Sequence, residues 1–149
     1  LFVSEQLYSQ ENSCYQEKFT DTTRPVFEKI NLQAGYKGFG TRWNPFLEKN
    51  VSFVNILASL PDSVTCFEDS VIMKFIVSRD GILSNLEILY SGNDEIKKEA
   101  VRLIKASCPN WEPGVDSGGV YRNSWHQEKF YFIVDRRAKK VITKIRAKF

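Results

Sequence analysis

Histidine, methionine and cysteine are scarce in this chain, with one, one and three copies in 149 residues. A single histidine, His126, leaves no set of imidazoles to hold a metal. No serine or cysteine lies in a nucleophile motif such as G-x-S-x-G. Cys14, Cys66 and Cys108 lie too far apart for zinc-type pair spacing. An odd count leaves at least one thiol unpaired within a monomer; one bridge is open and unassigned, so cysteine usage does not fix the compartment. No run of about eighteen apolar residues occurs, so no bilayer span is expected. The start "LFVSEQLYSQ" lacks the basic-then-apolar order of a signal peptide, and any such leader is expected to have been removed. Acids at Glu68-Asp69 and Asp94-Glu95 are adjacent rather than facing, and suit a strand end and a helix start. Cys108 could act with His126 only if the fold joined them, and a buried cysteine at a helix end is the commoner case. The expectation is therefore no catalytic, metal or cofactor site.

What is present is 42% hydrophobic content, enough for one good core and one expected domain. The net charge of +3 is uneven. Residues 135–149 hold Arg136, Arg137, Lys139, Lys140, Lys144, Arg146 and Lys148 against Asp135 alone, a local +6 that leaves −3 elsewhere. Such a tail suits an anionic surface or simply a solvated basic edge; nucleic-acid binding is not expected.

Residues 1–25 are polar and read as an N-terminal arm that docks locally or is in part disordered. "RPVFEKI" suits a short strand. "GYKGFG" does not match the order of a phosphate-binding loop and reads as a loop with packed aromatics. In "NPFLEKN", Asn44 as cap and Pro45 at the first helical position predict a short helix that resumes through "VNILASL". "SVIMKFIVS" alternates Val71, Met73, Phe75 and Val77 against Ile72, Lys74 and Ile76, the pattern of a largely buried strand. Asp80-Gly81 then supplies the positive backbone angles of a hairpin, and "ILSNLEILY" returns with Ile82, Leu86, Ile88 and Tyr90 available for packing. A helix from Asp94 to Ser107 puts Ile96, Ala100, Leu103, Ile104 and Ser107 on one face and Lys97, Lys98, Glu99, Arg102 and Lys105 toward water.

The helix returns the chain so that "VYRNSWHQEKFYFIV" pairs with the free side of the first long strand, giving the order second, first, third. The loop "ASCPNWEPGVDSGGV" crosses the sheet end, with Trp111 as a plug of the core rather than a ligand stacker. The third strand is then an edge. Tyr121, Arg122, Asn123, Ser124, Trp125 and His126 would offer open main-chain groups to a partner strand, with Arg122, Ser124, Trp125 and His126 reading its side chains, or form a solvated edge guarded by Lys129 and Arg122. In the tail, Val141, Thr143, Ile145, Ala147 and Phe149 alternate with Ile142, Lys144, Arg146 and Lys148. That period of two favours, over a helix, an added strand that pairs antiparallel with Phe130 to Val134 and continues along the open edge of the third strand, where it either blocks a partner strand or must be displaced for it.

Residues 70–134 resemble the C-terminal domain of TonB, in the form common in Bacteroidetes-type sequences. The features are Asp80-Gly81, Ser91-Gly92, Glu99-Ala100, Pro109, Trp111, Pro113-Gly114, and Phe130 with Phe132. The resemblance extends weakly back to Val26, so residues 26–134 form the expected domain and 135–149 the basic tail. It implies an α+β fold, an antiparallel sheet of three to four strands with a helix on one face, in which Asp80, Gly81, Trp111, Pro113 and Gly114 are structural. It also implies a periplasmic module that grips an extended peptide of an outer-membrane transporter beside the last strand and that reaches a membrane only through this partner or through an anchor absent from the sequence. Family members carry a membrane anchor and a proline-rich spacer, and this chain shows neither. The alternative is an accessory periplasmic protein that keeps the fold without energy transduction; a homodimer stays open in either case.

Overall fold

The strand read from Val71 to Val77 is longer at its start. In the computed structural model, which describes residues 14–21, 23–138 and 140–148, it runs over Cys66–Val77. The described elements are β1 (Tyr15–Gln16), β2 (Val26–Phe27), β3 (Gly35–Tyr36), α1 (Gly40–Asn50), α2 (Val54–Ser59), β4 (Cys66–Val77), β5 (Leu83–Ser91), α3 (Asp94–Ala106), β6 (Trp111–Glu112), β7 (Gly114–Val115), β8 (Tyr121–Asp135) and β9 (Ile142–Lys148). The class is α+β. Strand order is β1-β5-β4-β8-β2, with β7 and β9 also pairing β8, and β3 pairs β6 separately. The order second, first, third thus appears as β5-β4-β8. The sheet has seven strands rather than three to four, and it is not wholly antiparallel, because β1 and β2 pair β5 and β8 in parallel. These additions are two-residue strands, too short to show a period in sequence. Of the N-terminal arm, residues 1–13 lie outside the described residues, whereas Tyr15 and Gln16 dock on Leu83 and Ser84.

The chain divides into two compact units, and β4, β5, α3 and β8 contribute residues to both. The first comprises the segment ending at Lys37, Lys74–Glu87 and Lys105–His126. At its centre Trp111 is 3% exposed and donates its indole N–H to Ser107 Oγ at 2.7 Å. Its ring meets Phe75 edge-on at 5.2 Å, Tyr36 at 6.3 Å and His126 at 5.4 Å. The plug reading of Trp111 therefore holds: prolines and glycines fix the loop, and the indole supplies the apolar area. The hairpin turns through Gly81 alone, at φ 81°. Gly81 N–H donates to Ser78 C=O and Ser78 N–H to Ile82 C=O, so Arg79, Asp80 and Gly81 form the loop, and Asp80, expected at a positive angle with Gly81, keeps ordinary backbone. A Cβ on Gly81 would also lie 2.8 Å from the Trp111 carbonyl oxygen, a second reason for glycine. Past the turn, the expected packing set of β5 shifts. Leu83 and Ser84 are buried and Tyr90 is 50% exposed, because Asn85 at φ 53° interrupts the alternation. Its side-chain carbonyl accepts the Phe19 N–H at 2.7 Å.

The second unit comprises Gly38–Met73, Ile88–Ile104 and the segment from Gln127 onward. Its buried side chains include Trp43, Leu47, Ile56, Val71, Met73, Ile96, Ala100, Leu103, Ile104, Phe130, Phe132, Val134 and Ile145. Each of the larger ones contributes roughly 1.5–3 kcal/mol on removal from water. In α3 the expected apolar face is buried, and Asn93 caps the helix through its carbonyl oxygen to the N–H groups of Glu95 and Ile96. Glu99, expected in water, is instead buried: it accepts the Ser52 N–H at 2.6 Å and both Nε and Nη2 of Arg102. Helix α1 also differs from expectation. It begins at Gly40, so Asn44 is not its cap and Pro45 lies inside it. The backbone reverses at Phe39 (φ 48°), whose carbonyl accepts the N–H groups of Arg42 and Trp43, and burial of Trp43 anchors this early turn. Arg136 ties the end of β8 down by donating to the carbonyls of Leu57, Pro61 and Val64.

Candidate functional site

Of the six residues expected along an open edge, the first four, Tyr121 to Ser124, do not present one. Tyr121 and Arg122 pair antiparallel with Val115 and Gly114, while Asn123 and Ser124 pair with Val26 and Phe27. Short segments of the chain thus already satisfy this stretch. Side chains follow the same logic. Asn123, Ser124 and His126 are buried, so Ser124 and His126 cannot read a partner as expected. Asn123 accepts the Arg79 N–H at 2.8 Å, and the His126 ring packs against Phe75 at 5.5 Å. Tyr121 is 60% exposed, Arg122 binds Asp116 at 2.7 Å beside the Phe27 ring, and Trp125 lies under the Lys74 ammonium. The Arg122 guanidinium, with the Val120 and Gly118 N–H groups, holds the Asp116 carboxyl below its ordinary range. Of the motif residues, Asp80 is exposed on the turn, Trp111 and Gly114 are buried, and Pro113 is half-buried between them. A Cβ on Gly114 would meet Ser124 Oγ and Ile30, so this glycine permits the close approach of β7 to β8.

The tail is the strand its alternation indicates. β9 pairs antiparallel with β8 from Lys129↔Lys148 to Asp135↔Ile142, placing Phe130 opposite Ala147 and Phe132 opposite Ile145. Ile145 and Ala147 are buried, whereas Lys144 and Arg146 face water. The pairing stops at Lys129 and does not continue to Tyr121, because β7 and β2 hold that end of β8.

With β9 in place, the second unit acquires a new edge. Ala147 N–H donates to Asn44 Oδ1 at 3.0 Å, so it points away from β8. Opposed residues of antiparallel strands alternate between hydrogen-bonded and non-bonded pairs. Phe130↔Ala147, Phe132↔Ile145 and Val134↔Thr143 share one parity. The N–H and C=O groups of Thr143 and Ile145 therefore also point outward. They open onto a groove of about 690 Å³ lined by Glu48, Val51, Phe53, Thr143, Lys144, Ile145 and Arg146. Phe53, packed edge-on against Phe132 at 6.1 Å, and Val51 supply the apolar part. Asn44 blocks the edge at Ala147, so the open length is short. Among the described residues, no other strand pairs with β9.

This arrangement can accept an extended main chain, with apolar side chains toward Val51 and Phe53 and acidic ones toward Lys144 and Arg146. Sequence reasoning located the strand but missed Asn44, Glu48, Val51 and Phe53 as its surroundings. Nothing in their spacing announces a groove made with a strand a hundred residues away. Among the described residues no group of three or more His, Cys, Asp or Glu side chains could hold a metal, and no helix is long and apolar enough to cross a membrane. None of the three cysteines is in a disulfide; burial raises the Cys14 thiol above its ordinary range, and Cys66 lies near Asp135 at 3.9 Å. No family model matches the chain, and no curated protein or solved structure shows significant similarity to it.

Proposed function

We propose that the protein is a periplasmic interaction module of the TonB C-terminal type, which takes up an extended peptide of an outer-membrane transporter by strand addition. The observation that carries this reading is the outward-facing main chain of Thr143 and Ile145 above the Val51 and Phe53 groove. Main-chain bonds supply affinity, and the groove's apolar floor with its Lys144 and Arg146 flank selects apolar residues alternating with acidic ones. The TonB resemblance supports the mode of binding but moves its place: the acceptor is β9, not the stretch from Tyr121 to His126.

The test is titration of extended transporter peptides, followed by calorimetry, against the intact chain, Thr143→Pro and a chain lacking residues 137–149. Thr143 is exposed at an edge position whose N–H faces the groove, where proline is tolerated in a strand but removes the donor. Binding should weaken by at least about tenfold in Thr143→Pro and vanish in the deletion. Binding that rises in the deletion would mean β9 blocks the site instead. The accessory-protein alternative is favoured if no transporter peptide binds below about 1 mM.

A further inference from the structure

The basic tail has a second property beside strand addition. Directly opposed residues of an antiparallel pair lie on the same face of the sheet. The register therefore puts Ile133 with Lys144, Tyr131 with Arg146, and Asp135 with Ile142 on the face opposite buried Ile145 and Ala147. Lys129 joins them, its ammonium 5.0 Å from the Tyr131 ring. Two of the chain's exposed large apolar residues, Val141 at 44% and Ile142 at 45%, lie where the chain enters β9, directly after exposed Lys140. Of the acids on this face, Asp135 is bonded by Arg137 through Nε and Nη2 at 3.0 and 2.9 Å, which cancels its charge locally, and exposed Glu68 lies one strand away on β4. Lys144 and Arg146 make no ion pair among the described residues. Exposed aliphatic side chains at a hairpin end, followed along β9 by Lys144 and Arg146, form a surface with two matching demands: anionic charge and a shallow apolar layer.

We propose that the β8–β9 hairpin face docks on an anionic lipid bilayer, with Val141 and Ile142 entering the headgroup and acyl boundary and Lys129, Lys140, Lys144 and Arg146 lying against acidic headgroups. A bilayer meets both demands at once, whereas a soluble polyanion meets only the charge. A solvated basic edge has no use for the two exposed aliphatic residues beside it. Binding is electrostatic in its reach and so weakens with salt, while the aliphatic pair supplies the part that salt does not remove.

The test is sedimentation of the intact chain with vesicles of phosphatidylglycerol and phosphatidylcholine in equal parts, and with vesicles of phosphatidylcholine alone. Binding should occur on the anionic vesicles only and fall by at least about tenfold in the double variant Lys144→Glu, Arg146→Glu. It should also fall severalfold in Val141→Ser, Ile142→Ser, which leaves the charge intact. A control at Lys97→Glu, Lys98→Glu on α3, where both lysines are paired to Asp94 and Glu95, should retain binding. Circular dichroism confirms that each variant is folded. Thr143→Pro should keep vesicle binding while losing peptide binding, so the two surfaces are separable. The proposal is overturned by absence of binding to anionic vesicles, or by serine variants that bind as well as the parent. It is overturned equally if single-stranded nucleic acid competes for the face and vesicles do not bind.

Discussion

Replacing Trp111 by alanine probes the packing that holds the first unit together. A buried tryptophan removes about 150–250 Å² from water, which at about 25 cal/mol per Å² is roughly 4–6 kcal/mol before relaxation. Collapse of the surroundings and the alanine's own burial reduce this to about 3–5 kcal/mol. The edge-on contacts with Phe75, Tyr36 and His126 and the 2.7 Å bond to Ser107 place Trp111 toward the upper part of that range. Against a total of about 5–15 kcal/mol for a domain, such a loss is large. Urea unfolding followed by far-ultraviolet circular dichroism should show it as a fall in midpoint with little change in slope. Heating should show a Tm lowered by about 10 °C or more. Trp111→Phe keeps most of the ring and loses the indole donor, so it should cost about 1–2 kcal/mol. A loss below about 1 kcal/mol in Trp111→Ala would refute the plug reasoning and make Trp111 a surface group despite its burial.

Two further outcomes follow from charged groups in the second unit. Glu99→Ala leaves the Ser52 N–H without its acceptor and should cost about 1–3 kcal/mol in urea. Arg102→Ala, whose side chain is 49% exposed, should cost less than about 1 kcal/mol; equal losses would mean that the ion pair rather than the Ser52 bond matters. Asp135 is held at about 2, first by the Arg137 side chain and then by the Arg137 N–H. A carboxyl depressed in the folded state contributes stability above its unfolded value near 3.9 and loses it as pH falls toward about 2. Arg137→Ala should return the Asp135 midpoint to the ordinary carboxylate range in an NMR titration, and its unfolding curve should differ from the parent above about pH 4 and converge with it below. An unmoved midpoint would show that Arg137 is not the cause.

Periodicity carried what was legible in the sequence. β4, α3 and β9 each extend over at least seven residues, long enough for a period of two or 3.6 to appear. Trp111 was legible for a different reason: prolines and glycines around a lone indole leave it little to do but pack. The misses have separate physical causes. β1, β2 and β7 are two residues long and owe their pairing to tertiary docking, so the edge at Tyr121 to Ser124 looked open when it is closed. Asn85 in a left-handed conformation shifts which side chains of β5 face inward, and no local rule places it there. Glu99 reads as a water-facing helix residue until Ser52, 47 positions away, brings a main-chain donor to it. The candidate edge on β9 was half legible, because alternation gives the strand while its open side depends on Asn44 and on the end of α1.

Amide hydrogen exchange on the intact chain, with and without a saturating extended transporter peptide, tests the central claim most directly. Strand addition at β9 predicts that the Thr143 and Ile145 amides, which point into the groove, become protected on peptide addition. Those of Lys144 and Arg146, already paired to β8, should change little. Unchanged exchange at Thr143 and Ile145 while the peptide is bound, or new protection confined to residues 121–126, would contradict it.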